Sequence, residues 1–315
     1  MVLALLTPRL RFFFTAAVVA ALASAPSPVA AQAFTSPQGV GSVSLVWQFV
    51  DNTGHRLSDG ILLPGGPSVT TSALVELDYG VTDRLSTTFA IPYVFAKYTG
   101  ALPSFSRLPR DECRCWHSSF QDLSLSTRYR LGDDRWAVTP ILKLEHPTHD
   151  YPYEGEAVVG RHLREVQVGV ATGVKLVELL PKASVHAGYT YSFVEKPLRD
   201  IQIDRSNGFV EFGYALTRAF YLRGDATWQR TNGGLRFGAP SGNPFPPPGE
   251  FNTAARYAQR DRLLRSNYWH VGGGVAYSAG PMDLFVAITK YVSGTDTHNG
   301  QAYTVGSTWY FDISK

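Results

Sequence analysis

The chain has 315 residues, 44% of them hydrophobic, 13% aromatic and only 17% charged. That mix is too apolar for a disordered chain and poorer in charge than the usual quarter or so of a soluble domain. With Arg9 and Arg11 set aside in the N-terminal segment, 27 basic residues face 26 acidic ones, a balance that gives no attraction to nucleic acid.

Arg9 and Arg11 precede the apolar run Phe12 to Ala25, and Ala31-Gln32-Ala33 follows as a small-residue cleavage site. This order of regions is that of a secretory signal peptide over 1–33. The apolar run is too short to cross a bilayer as a helix, and no other segment is long and apolar enough to do so. The mature chain, 34–315, is therefore expected to begin near Phe34.

From there the chain alternates apolar and polar residues with period two. A first strand near Ser42 to Asp51 puts Val43, Leu45, Trp47 and Phe49 on one face and Ser42, Ser44 and Gln48 on the other. A loop is expected over Asn52 to Pro67, then a hairpin, Ala73 to Phe95, turning at Gly80 to Arg84. A polar segment, Ala96 to Ser119, leads to strands Phe120 to Arg130 and Trp136 to Leu144, with a short turn between them. Loop Glu145 to Leu163 precedes a pair of strands carrying Val166, Val168, Val170 and Val174, then Val185, Ala187, Tyr189, Tyr191 and Phe193. Strands Ser206 to Tyr214 and Phe220 to Gln229 flank a tight turn. The longest loop, Arg230 to Ser266, holds a proline cluster, Pro244 to Pro248, and a helical stretch over Asn252 to Arg265 with Asn252 as cap. Three more strands follow, centred on Val271, Val286 and Val305, with a loop near Ser293 to Gly300.

The count is twelve strands, with connections alternating long and short. An even count, this asymmetry and a secretion signal indicate an all-β, up-and-down antiparallel transmembrane β-barrel in the outer membrane of a Gram-negative cell. Its long loops should lie outside and its N-terminus in the periplasm. Tyr79, Tyr129, Trp136, Tyr214, Phe220 and Tyr277 gather near the short turns. Trp47, Phe49, Tyr93, Phe95, Phe193, Trp228, Trp269 and Tyr303 gather near the long loops. Two aromatic girdles are what bilayer interfaces favour.

YGVTDRLSTTFAIPYVF (Tyr79 to Phe95), QDLSLSTRYRLG (Gln121 to Gly132) and VGSTWYF (Val305 to Phe311) resemble the hairpins of outer-membrane proteins grouped around the meta-pathway of phenol degradation. The resemblance implies a barrel that passes small, often aromatic or hydrophobic, compounds across the outer membrane. It implies outer-membrane lipid, a small solute and the barrel-assembly machinery as partners, and no cofactor. Here Phe311 is followed by Asp312 to Lys315, whereas such chains usually end on the aromatic residue.

On the barrel parity, ten residues are expected to face the lumen: Glu76, Asp78, Arg128, Lys143, Glu165, Lys175, His186, Glu211, Arg223 and Asp225. They either pair across strands, as Glu211 with Arg223, or set selectivity along a path. His146, His149 and Asp150, or Cys113, Cys115 and His117, have ligand-like spacing but no second half nearby, so no metal is expected. A disulfide between Cys113 and Cys115 would be strained at that spacing, and no disulfide framework is implied. Ser206-Asn207-Gly208 resembles a motif of outer-membrane phospholipase A, another twelve-stranded barrel. Asp204 stands where that motif has histidine, and Ser206 should face lipid while His186 faces inward, so no general base is at hand. The expected function is a passive channel and not an enzyme. The alternatives are a structural or adhesive barrel with a filled lumen, and a barrel phospholipase.

Overall fold

The computed structural model describes residues 33–100, 108–156, 158–238 and 250–313. Most of the signal segment and the whole proline cluster therefore lie outside the described residues. Twelve strands form the wall: β1 (Val40–Arg56), β2 (Leu62–Gly80), β3 (Leu85–Tyr98), β4 in two pieces (His117–Phe120 and Asp122–Tyr129), β5 (Trp136–Pro147) and β6 (Glu165–Lys175). They continue as β7 (Ala183–Val194), β8 (Ile203–Ala215), β9 (Phe220–Gly233), β10 (Asn267–Ala279), β11 (Met282–Thr295) and β12 (Thr297–Asp312). Every neighbour in sequence pairs antiparallel, and β12 returns to β1, with Val40 opposite Asp312 and Trp47 opposite Val305. The wall is thus closed and has no unpaired edge. β4 is interrupted only at Gln121, whose N–H still donates to the Pro92 carbonyl at 3.0 Å.

Alternation decides which side chain meets which medium. Val170 is 42% exposed, Val210 50% and Val305 51%, all on the outer face, whereas the lumenal neighbours Ser86, Thr139 and Ala171 are 0% exposed. An apolar outer surface that continuous is not stable against water, and it is the surface a bilayer requires. The girdles close as ring contacts: Trp47 with Phe95 at 6.0 Å and Trp228 with Trp269 at 6.3 Å near the long loops, Phe220 with Tyr277 at 4.9 Å near the short turns.

Several boundaries differ from the sequence reading. β1 runs to Arg56 and β2 starts at Leu62, so much of the expected loop over Asn52 to Pro67 is paired strand, shifted in register between Asn52 and Gly54. The expected loop over Ser293 to Gly300 is a sharp turn at Asp296, which adopts φ 51°. In both places polar side chains conceal strand, because these tips stand beyond the apolar belt. The helical stretch is two short helices. Besides α1 (Pro109–Glu112), α2 (Ala254–Ala258) is capped by the Thr253 hydroxyl and not by Asn252, and α3 (Arg260–Leu263) follows it. Thr253 Oγ1 accepts the Arg256 N–H at 3.2 Å. Cys113 and Cys115 are joined as a disulfide, against expectation. Arg114 between them takes φ 51°, which brings the two Cα atoms to 5.2 Å.

Residue Val170 lies midway between the girdles on the outer face of β6, opposite Pro140 and Tyr189. Val170→Arg should lower the stability of the folded barrel by roughly 2–4 kcal/mol. Gln167→Arg, lumenal and beside Glu165, should cost under about 1 kcal/mol. Denaturant titration of both proteins in lipid vesicles measures the difference.

Candidate functional site

Three cavities follow one another down the lumen. The upper one, near the long loops, has a volume of about 440 Å³, the middle one about 640 Å³ and the lower one about 290 Å³. Ser72 and Gln121 border both the upper and the middle cavity. Glu76 and Arg128 border both the middle and the lower one. Small residues help to keep the space open: on β10 the lumenal positions are Gly272, Gly274 and Ala276. A Cβ at Gly272 would lie 2.9 Å from Asp225 Oδ2.

The wall around these cavities is charged, and most of the charges are matched. Asp78 accepts hydrogen bonds from Ser36 Oγ (2.7 Å), Thr88 Oγ1 (2.6 Å) and Arg128 Nη2 (2.5 Å). Lys143 Nζ lies 2.5 Å from Glu145, Arg205 Nη2 3.0 Å from Glu165, and Arg223 Nε 3.1 Å from Glu211 and 3.7 Å from Asp225. Such pairs offset the cost of holding charges away from bulk water. Glu76 has no cationic side chain within ion-pair distance among the described residues, and it lines the passage between the middle and lower cavities.

At the short-turn end residues 33–36, the first described, enter the barrel. Ala33, fully buried, packs on Ala137 and Ala171, and Thr139 Oγ1 donates to its carbonyl at 2.6 Å. Phe34 meets His186 edge-on at 5.7 Å, and Lys175 Nζ lies 5.1 Å from the Phe34 ring centroid. Lys175 and His186 are therefore occupied with this segment, which fills the side of the lumen formed by β5 to β7. The lower cavity lies on the other side, along β1, β2 and β8 to β12, with Arg128 of β4 at its border.

The long-loop end carries a lid with a core of its own. Leu57, Ile203, Phe251 and Leu263 are among its most buried members, drawn from three different connections or strand ends. The loop between β5 and β6 folds inward, placing Tyr151 on Val94 and Ala96 and joining its hydroxyl to Asp122. Glu156 of that loop meets Arg260 of α3 at 2.5 Å, with both side chains under a tenth exposed. Gly155 N–H donates to the Ala258 carbonyl, and the Arg262 guanidinium sits 4.1 Å from the Tyr153 ring centroid. Burial alone would lower the Arg260 pKa, but Glu156, Tyr257 and Asp261 outweigh it and hold the group firmly charged. Burial would likewise raise Asp261. Nearby His298, 3.5 Å away, and the charge of Arg260 reverse that and keep its carboxyl well below the usual range.

No protein-family model matches the chain, and no curated protein sequence matches it significantly. Solved structures do. The chain is similar to an outer membrane channel from Pseudomonas putida F1, with a TM-score of 0.63 at 11% identity, over 90% of this chain and 100% of that one. The translocator domain of the autotransporter NalP from Neisseria meningitidis is less similar (TM-score 0.48, 10% identity, 88% of this chain and 90% of that one). So is the CymD monoaromatic hydrocarbon channel (TM-score 0.42, 11% identity, 89% and 90%). At these identities the likeness is one of fold. The chain has the fold of an outer-membrane β-barrel.

Of the ten residues expected in the lumen, Glu76, Asp78, Arg128, Lys143, Glu211 and Arg223 border the cavities. Glu165 is buried against Arg205, Lys175 and His186 meet Phe34, and Asp225 stands beside Arg223 and Gly272. Sequence reasoning missed Glu145, Arg205 and Asp283, although all three fall on the lumenal parity of their strands. It also missed Glu156, Arg161 and Asp261 in the lid, which no periodicity marks. Ser206 and His186 lie on opposite faces of the wall. Ser206 Oγ accepts from the hydroxyl of outward-facing Tyr189 and from Asn232 Nδ2, both at 3.0 Å. The two residues do not form a dyad. Among the described residues, no three His, Cys, Asp or Glu side chains converge as a metal site.

Removing a shared acceptor tests the network at the short-turn end. Asp78→Ala leaves Arg128 and Ser36 without it and should cost about 1–3 kcal/mol. Amide exchange over residues 36–40 should accelerate with it. At the other end, Glu156→Gln should speed exchange at Gly155 and Leu264 while leaving the wall protected. Unchanged exchange there would show that the pair with Arg260 does not hold the two loops together.

Proposed function

We propose that the protein is a passive outer-membrane channel for small solutes that carry an aromatic or otherwise apolar part. The long loops then face outward and the short turns the periplasm, the arrangement general to such barrels. The observation that carries this reading is the series of three cavities that share bordering side chains along the lumen, because a barrel of purely structural purpose fills its lumen with side chains. Paired charges line the path together with Phe209, Tyr221, Phe285 and Tyr310. Such a lining offers rings to an apolar group and hydrogen bonds to a polar one. A solute moving down its gradient needs no energy source from the protein. The resemblance of the hairpins to barrels of the phenol-degradation group supports the same solute range, and the similar barrel from P. putida, itself an outer membrane channel, supports the channel reading.

Glu76 is the acidic group in the passage between middle and lower cavities, and its charge should favour cations there. Purified protein in a planar bilayer should conduct in KCl, and Glu76→Gln should move the reversal potential under a salt gradient toward anions. A folded protein that never conducts and never speeds solute uptake into vesicles would overturn the channel reading.

A further inference from the structure

The upper cavity joins a ring-bearing wall to an arginine with no carboxylate at ion-pair distance among the described residues, whereas Arg128 and Arg223 of the cavities below are paired. On one side, Tyr268 and His270 stack at 4.5 Å and 27°, and Tyr291 meets His270 edge-on at 6.2 Å. Gln48 of β1 adds an amide, whose Nε2 donates to Thr304 Oγ1 at 3.1 Å. Arg161, on the loop between β5 and β6, borders the space from above. Two carboxylates border it too, but Glu156 is held by Arg260 at 2.5 Å and Asp261 by His298 at 3.5 Å. Among the described residues no carboxylate lies within ion-pair distance of Arg161. The charge of Arg161 is felt by Arg205, which Glu165 matches at 3.0 Å, and by Asp122, which the Tyr151 hydroxyl already engages. Behind the ring wall, Tyr268 donates to Gln229 Oε1 at 3.0 Å, while the buried Gln229 Nε2 has no acceptor among the described residues.

A guanidinium that borders a chamber of about 440 Å³ with no carboxylate at ion-pair distance is a candidate anion site, since arginine binds a carboxylate through two parallel N–H donors. The volume falls in the range of roughly 300–1,000 Å³ found for small-molecule sites. The adjacent rings set the shape of what fits: a flat apolar body that stacks or meets an edge at about 4.5–7 Å between centroids. We propose that the upper cavity is a binding site for a small aromatic carboxylate, with Arg161 holding the carboxylate and His270 and Tyr291 contacting the ring. The inference rests on the channel reading and names its solute. Bound there, the solute sits directly above Ser72 and Gln121, the side chains bordering the way to the middle cavity.

The test uses the full-length mature protein in a planar bilayer, with benzoate added on the long-loop side. Benzoate should reduce the KCl current saturably, whereas benzamide, which keeps the ring without the charge, and acetate, which keeps the charge without the ring, should not do so at the same concentration. Arg161→Gln should raise the half-blocking concentration of benzoate at least about tenfold, the scale of one charge-assisted contact. Arg199→Gln, at an exposed loop position, should leave it unchanged. A conducting channel blocked equally by benzamide or acetate, or indifferent to benzoate, overturns the inference and leaves the channel reading standing. Equal block of the wild type and Arg161→Gln also overturns it. Should the protein not conduct, the channel reading fails, and calorimetric titration with the same three probes decides the binding site. Should Arg161→Gln not fold, the three-probe comparison on the wild-type protein decides it.

Discussion

Inside a bilayer there is no water to take up a backbone N–H or C=O, and each such group left unpaired costs several kcal/mol. Everything else in this molecule follows from meeting that constraint with strands. A ladder of strands satisfies the groups between neighbours but leaves two edges, and only the return of β12 to β1 removes them. Closure then fixes an inside and an outside for each residue of the wall. The side chains that meet lipid and the side chains that meet the lumen must alternate, and a slip of one residue would exchange them along a whole strand.

The same alternation places charged groups in a narrow tube, where they are expensive unless matched. The wall resolves this locally. Lys143 is matched by Glu145 two positions along β5, Arg223 by Glu211 diagonally across a turn, and Arg128 by Asp78 with two hydroxyls assisting. Matching and conduction are not rival uses of these residues. Pairs draw side chains toward the wall and leave space along the axis, and the few charges left over decide what the space attracts. Glu76 in the lower passage and Arg161 at the upper chamber are of that kind, and their signs are opposite. A solute that meets the arginine above therefore meets a carboxylate further down, which favours release over retention.

How much of this was legible in the sequence depends on the distance over which the information is held. The twelve walls, their short turns and the outward Val, Leu and aromatic residues are written in period-two alternation, which each strand carries by itself. So is the lumenal parity of Arg205 and Asp283, which sequence reading passed over only because its strand limits were drawn short. The lid is different in kind. Glu156 and Arg260 are 104 residues apart and belong to loops with no period, so nothing local announces their contact. The inward turn of Ala33 and Phe34 is equally silent, because a short apolar segment looks the same whether it fills a lumen or trails from a strand. Tip hairpins such as β1–β2 beyond Asn52 were hidden for a third reason. Outside the membrane they need no apolar face, so they alternate nothing.

The two ends of the barrel are closed by different physics, and this bears on which of them controls the path. At the short-turn end one segment lies along one side of the lumen, fixed by Asp78, Thr139 and a few ring contacts, and the lower cavity continues past it along the opposite wall. That is an obstruction with a way around it. At the long-loop end the closure is a small folded unit, with buried Leu57, Phe251 and Leu263 at its centre and a buried ion pair joining two loops across the mouth. A unit with its own core moves as one body or not at all, because partial opening would expose that core to water. The chamber beneath shares Glu156, Asp261 and Leu264 with this unit, so a molecule bound at Arg161 touches the parts that hold the lid shut. Access from the long-loop side and occupancy of the upper chamber are therefore properties of the same set of side chains.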